Sequence, residues 1–413
     1  MLASDLNPVA AMKAAMEYPL KFDPDLQQDI DKWVKWVGDE AEKRLAKFFP
    51  SLPGETVQNY LWAHTVVCPN CESVVPLSPN WWLYKRPEKQ NLHKWCAVKP
   101  IPNPEKKRVD FELIKGKKGK GTTIKTDDGE YEPDTTVSLS RGIGKCPNCG
   151  NVIKGESIKA QGSSTGLGHR LYAVAYKQGA STLQFRTPTD LDLDGIDKSA
   201  YYLNQHWEEW SASGVLPDLL LQYVHETHER QSLPEYGLTH WHKFFNPRQL
   251  LTLVTYVEII NNVKLKLQAE YEPEKVEAIA TYLALVLDRC VDKNCRLSMW
   301  DSSRASYRTA SGMHALNLMW NYPEVNGATE LWQSCLEDAT KDYTKLCQLF
   351  ATKPHSTGLP GIEQYDSKPI QIDAVSADSL FHIPDNSVDA IITDPPTIPQ
   401  FNTPNSQTSS TSG

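Results

Sequence analysis

The chain has 413 residues, 40% of them hydrophobic and 23% charged, with a formal charge of −8. That length can bury two or three domains, and the acidic balance excludes a protein that is basic all over, so any nucleic-acid contact must be local. No apolar run approaches the roughly 20 residues needed to span a membrane, and the start carries no basic, apolar leader, so a cytoplasmic protein without membrane partners is expected.

Residues 1–20 read as the end of a strand, a turn and a short helix. Asp23-Pro24 is a helix start, a capping side chain followed by proline. From there Leu26, Ile30, Trp33, Val34, Val37, Ala41 and Leu45 recur at three- and four-residue spacing, which predicts an amphipathic helix ended by Pro50 and Pro53. Residues 60–160 are rich in β-formers, Gly and Pro. They hold two near-identical motifs, Cys68-Pro69-Asn70-Cys71 and Cys146-Pro147-Asn148-Cys149-Gly150. Between them runs a basic stretch, Lys106-Lys107-Arg108 through Lys115, Lys117, Lys118, Lys120 and Lys125, broken by glycines as a hairpin or loop would be.

Residues 200–350 turn helical. Asn246-Pro247 opens a helix to about Tyr271, a second follows Pro273, and 306–350 continues with a helical pattern and many aromatics. Strand character returns at 369–394, through Ile370-Gln371-Ile372 and the β-branched run Val388 to Thr393, which ends at Asp394-Pro395-Pro396. A Ser/Thr/Asn/Pro/Gln-rich tail follows, and its composition predicts disorder.

Three constellations carry chemistry. Paired Cys-x-x-Cys turns in a reducing compartment read as one zinc site of Cys68, Cys71, Cys146 and Cys149; four thiolates leave no open coordination position, so that site is structural. The competing reading is two unrelated turns with free thiols. Asp394-Pro395-Pro396 at a strand end suits a turn that holds an exocyclic amine by acceptors, although Asp-Pro-Pro is also an ordinary turn and the next residue is Thr397 rather than an aromatic. Asp5 stands where an acidic residue commonly holds the ribose of a nucleotide-like cofactor, although on this residue alone a simple Asx turn before a helix is the favoured reading. His225-Glu226-Thr227-His228 lacks the spacing of a zinc protease and reads as a solvated helix face. The basic loop suits phosphates and solvent equally.

Together these stretches resemble the zinc-ribbon-containing adenine-specific DNA methylases. The likeness rests on Asp5 to Ala10, the two Cys-Pro-Asn-Cys knuckles, Tyr236-Gly237-Leu238 through Phe245-Asn246-Pro247-Arg248-Gln249-Leu250, Tyr282 to Arg289, Trp300, Ser303-Arg304, Trp320 to Glu324, and Val388 to Pro396. The resemblance implies an α/β fold: a partial Rossmann-like methyltransferase sheet with an inserted, β-rich zinc ribbon and a helical domain. It implies an S-adenosyl-L-methionine-dependent adenine-N6 DNA methyltransferase with DNA as partner. Asp5 and Asp378 would contact the cofactor, and Asp394, Pro395 and Pro396 would hold the target amine. The expected divisions are 1–58 and 356–396 for the methyltransferase parts, 59–170 for the ribbon, 171–355 for a helical target-recognition region and 397–413 for the tail. The glycine-rich cofactor loop should precede Asp5, where only four residues stand, so the expectation is a fragment that is inactive alone and completed by a second chain. The alternative expectation is a non-catalytic zinc-ribbon DNA-binding or assembly module.

Overall fold

The computed structural model describes residues 2–4, 13–22, 25–85, 95–116, 124–126, 129–134, 138–216, 220, 233–312, 316–351, 371–373, 381 and 383–388. Packing divides the chain into two compact units, one of Met1–Val9 with Glu363–Gly413 and one of Ala10–Ile362. The architecture is mixed α/β. No helix among the described residues is long and apolar enough to cross a membrane.

In the first unit, strand β1 (Leu2–Ser4) opens the chain. The larger unit begins with a short helical stretch, Lys13–Phe22, and helix α1 (Asp25–Leu45). All seven apolar residues that set its sequence period are buried, so the expected apolar stripe is its core face. Strand β2 (Thr56–Val67) is nearly continuous in its burial, because a hydrophobic core packs on each of its faces, one taking Val57, Tyr60 and Trp62 and the other Leu61 and Ala63. It is followed by β3 (Val74–Leu77), β4 (Trp82–Tyr84), β5 (Trp95–Asn103) and β6 (Arg108–Gly116). A small hairpin, β7 (Ile124–Thr126) with β8 (Gly129–Tyr131), precedes the triplet β9 (Leu139–Ser140), β10 (Ile143–Lys145) and β11 (Val152–Ile153). Helix α2 (Gly155–Thr165), strands β12 (Gly168–Lys177) and β13 (Gln184–Arg186) and helix α3 (Asp190–Ala212) come next.

Helix α4 (Pro247–Glu270) starts where the sequence places it. Asn246 caps it through a reciprocal box with Gln249: Gln249 N donates to Asn246 Oδ1 at 2.8 Å, and Asn246 N donates to Gln249 Oε1 at 2.9 Å. Helix α5 (Pro273–Lys293) follows. The stretch 306–330 departs from expectation. Apart from a single 3-10 turn at Ala310–Gly312 it holds strands: β15 (Ser306–Arg308), paired with the preceding β14 (Met299–Asp301), then β16 (Asn321–Val325), with helix α6 starting only at Leu331 and ending at Ala351. Aromatic density there serves strand packing: Tyr322 and Trp62, on paired strands, stack with ring planes 6° apart.

The main sheet has the order β13-β12-β2-β3-β6-β5-β4, with β16 also on β2. β2 spends one edge on β12 and shares the other, β16 taking Asn59 to Ala63 and β3 taking His64 to Val67. One sheet therefore joins residues expected to lie in separate ribbon and helical domains. Against it α1, α4, α5 and α6 build the largest core, which includes Leu26, Ile30, Val34, Tyr256, Ile259, Leu283 and Trp332. The last strand, β17 (Gln371–Asp373), belongs to the first unit. It pairs in parallel with β1, Leu2 opposite Gln371 and Ser4 opposite Asp373. Parallel pairing requires a crossover between the strands, and here the whole larger unit lies in sequence between them.

Candidate metal centre

The two knuckles close on each other. In the first, Cys68 N donates to Ser73 O and Glu72 N to Cys68 O, both at 2.9 Å. In the second, Cys146 N donates to Asn151 O and Gly150 N to Cys146 O, again at 2.9 Å. The residue after the second cysteine takes a left-handed backbone in each turn, Glu72 at φ 58° and Gly150 at φ 74°. Glycine adopts that conformation without strain; a glutamate there needs the turn to hold it. Sequence reading marked the trailing glycine and missed its glutamate counterpart.

These turns bring all four cysteine sulfurs within 4.8 Å of one another. Cys68 Sγ lies 3.7 Å from Cys149 Sγ, and Cys71 Sγ 3.6 Å from Cys146 Sγ. Zinc–sulfur bonds of about 2.3 Å in a tetrahedron place sulfurs about 3.8 Å apart, close to these two separations, so the donor set suits a zinc ion. Neither separation is a disulfide, and all four cysteines are free thiols. Cys68 and Cys146 are buried, Cys71 is half-buried and Cys149 is exposed. The buried pair sits in its own small core with Val66, Val75, Leu77, Leu139, Ile153, Ile158 and Leu167. Hydrogen bonding with Ser73 pulls the Cys71 thiol down to about 6, while burial pushes Cys146 up to about 12. Thiols this close cannot all ionise without a cation between them.

Polar side chains lock one knuckle to the other. Asn148 Nδ2 donates to Ser73 Oγ at 2.8 Å and to Arg108 O at 3.1 Å, and its Oδ1 accepts from Asn103 N at 3.0 Å. The asparagine of the second Cys-Pro-Asn-Cys motif thus ties both turns to the β5–β6 hairpin. This role was not legible in the motif itself.

The basic stretch is only partly available to an external anion. Lys107 pairs with Glu72 and Arg108 with Asp110, while Lys106 is exposed. Lys117, Lys118 and Lys120 lie outside the described residues, as do His225 to His228.

Two other motifs singled out by sequence meet in the core. Glu324 of β16 is fully buried and accepts from Arg248 Nε at 2.7 Å, Arg248 Nη2 at 3.0 Å, Trp62 Nε1 at 2.7 Å and Asn246 Nδ2 at 3.2 Å. Arg248 Nη1 donates to Phe48 O at 3.1 Å, and the guanidinium lies 3.9 Å from the Tyr60 ring centroid. Burial opposes the Arg248 charge, but Glu324 more than offsets it, and the guanidinium holds its proton above the ordinary range. The Asn246 to Leu250 and Trp320 to Glu324 segments are therefore a structural hub. Gly162 likewise serves packing: a Cβ there would come within 2.7 Å of Tyr236 Cα, so glycine permits α2 to cross the 233–236 turn.

The remaining sequence-predicted site residues, Asp5, Asp378, Asp394, Pro395 and Pro396, lie outside the described residues, as does Thr397. The strand leading to Asp5 and the strand before Asp378 are nevertheless neighbours, β1 beside β17. Comparison of the chain with family models, with curated proteins and with solved structures finds no match in any of the three.

Proposed function

We infer that the chain is the zinc-ribbon-bearing part of an S-adenosylmethionine-dependent adenine-N6 DNA methyltransferase. The observation that carries this reading is the parallel pairing of β1 with β17. Two strands from opposite ends of the chain form one sheet, and an acidic residue follows each, Asp5 and Asp378. Adjacent parallel strands, each followed in the sequence by an acidic residue, suit a nucleotide-like cofactor, which binds outside the carboxyl edge in open α/β sheets. The larger unit then stands as an insertion between them and presents a closed four-cysteine zinc site.

On this reading the cofactor supplies an electrophilic methyl group. The chain's part is to position the target. Asp394 and the carbonyl of Pro395 would accept hydrogens from the adenine amine, which turns the nitrogen lone pair toward the methyl carbon. Zinc takes no part in the reaction; it holds the two knuckles and with them the β5–β6 hairpin.

Equilibrium binding of S-adenosylmethionine to the chain, expressed with its flanking coding sequence, tests the reading. Binding that is lost in Asp5→Ala and in Asp378→Ala supports it. DNA binding with steep salt dependence and no cofactor binding would replace it with a non-catalytic DNA-binding module.

A further inference from the structure

The larger unit holds a cavity of about 620 Å³ between the Trp241–Phe244 turn, α5 and α6, remote in sequence from the four cysteines. Its volume lies in the range of small-molecule sites. Its walls are aromatic: Trp241 and Phe244 meet edge to face at 5.2 Å, and Tyr282 and Tyr343 do so at 5.3 Å. Phe244, Tyr282 and Tyr343 are buried, yet Trp241 is 42% exposed. A partly open ring beside a cavity offers a stacking face.

Beyond the two tyrosines, the charged and hydroxyl side chains of the wall are few: Asp288, Arg289, Asp292 and Ser311. Asp292 is spent on Ser311, accepting from its N at 2.7 Å and its Oγ at 2.6 Å. Asp288, one helical turn earlier, lines the same cavity at its solvent-exposed edge beside Arg289, and no hydrogen bond or ion pair joins it to another of the described residues. Burial alone raises its proton affinity. A carboxylate in a mostly apolar wall offers two coplanar acceptors to whatever enters. A flat ring between aromatic faces, carrying two adjacent N–H donors on one edge, satisfies both features. Guanine has that edge in its ring N–H and exocyclic amine. Adenine sets an acceptor beside its amine, where a carboxylate would repel it.

We propose that this cavity binds a guanine-type base, stacked against Trp241, with the Asp288 carboxylate accepting from the ring N–H and the exocyclic amine. The site is independent of the methyl-transfer reading, because none of its residues belongs to the cofactor or amine-holding set. The same base can arrive as a free nucleotide or as an unstacked base of a strand.

The test is isothermal titration of the full, zinc-loaded chain with guanosine, inosine and adenosine monophosphates. Inosine monophosphate lacks only the exocyclic amine, so it needs no variant and no assumption about folding. Guanosine monophosphate is expected to bind about tenfold tighter than inosine monophosphate and tighter still than adenosine monophosphate, as loss of a charged hydrogen bond implies. Asp288→Asn should erase the preference while leaving the thermal midpoint unchanged, since Asp288 has no partner to lose. Trp241→Ala should weaken all three. Tighter binding of a guanine-containing single-stranded oligonucleotide than of the free nucleotide identifies a strand as the source; equal or weaker binding identifies the nucleotide, and both support the site. Equal affinity for the three nucleotides, absence of binding, an Asp288→Asn variant that keeps the preference, or binding of tetramethylammonium in place of the bases would overturn it.

Discussion

The four-cysteine cluster and the Arg248–Glu324 hub are both polar centres set in apolar surroundings, and they solve the same problem in opposite ways. The hub carries its own counter-charge: every hydrogen-bonding partner of Glu324 comes from the same chain. The cluster does not. Its four sulfurs converge closely enough to hold a metal ion, and such an ion would supply the positive charge that ionised thiols at this spacing need. The difference teaches where this molecule is conditional. The hub joins α4, β2 and β16, the elements that make the fold one piece. The knuckles form a separate small group, and the account expects its assembly to follow the supply of zinc.

The largest expected effect is therefore metal removal. One zinc per chain should be released by a strong chelator, and limited proteolysis should then cut within 138–153 while the α4–α6 core stays protected. Apparent binding energies of structural zinc sites are of order 10 kcal/mol, ample to hold two short turns. Cys146→Ser should abolish binding. Metal content by elemental analysis checks both, and retention of zinc after Cys146→Ser would break the comparison.

Next comes the hub. Glu324→Gln removes the charge that compensates Arg248 and should cost about 3–5 kcal/mol in chemical denaturation. The double replacement Arg248→Met with Glu324→Leu should cost less than the single one, because no buried charge is left alone. Equal losses would show that packing rather than charge pairing holds that junction.

A smaller effect concerns pH. His64 and His169 are held neutral first by burial and then by the nearby Arg296 guanidinium, His64 well below its ordinary value and His169 at about 3. Both folded-state values lie below the unfolded value of about 6.5. As pH falls beneath 6.5 the unfolded chain takes up protons that the folded chain refuses, so stability is full above that pH and declines toward pH 3. Each group contributes at most about 1.4 kcal/mol per pH unit. Urea midpoints at pH 7 and pH 5 should differ more for the natural chain than for His169→Gln; an unchanged difference would contradict the assignment.

The smallest effect is at Lys107. Its pair with Glu72 is solvent-exposed, and Lys107→Ala should leave the thermal midpoint where it is. A clear shift would mean that the first knuckle leans on this pair.

What was legible in the chain follows from range. Helices α1 and α4 announced themselves because a cap, a proline and an apolar period are local signals. The convergence of the four cysteines was legible because two copies of one short motif point to a shared site even across a long gap. β16 was not: its aromatics mimic a helical stripe, and only pairing with β2, far earlier in the chain, makes 321–325 a strand. The Arg248–Glu324 contact spans 76 positions, and nothing in either segment alone specifies the other. The cavity beside Trp241 was invisible for the same reason, since α5, α6 and the 241–244 turn meet only in the folded unit.

The central claim, adenine-N6 methylation, is tested most directly by mass spectrometry of nucleosides. The DNA should come from a methylation-free host carrying the gene with its flanking sequence. The account predicts N6-methyladenine that disappears in Asp394→Ala. Methyl groups on cytosine, or DNA with no methylated base, would contradict it.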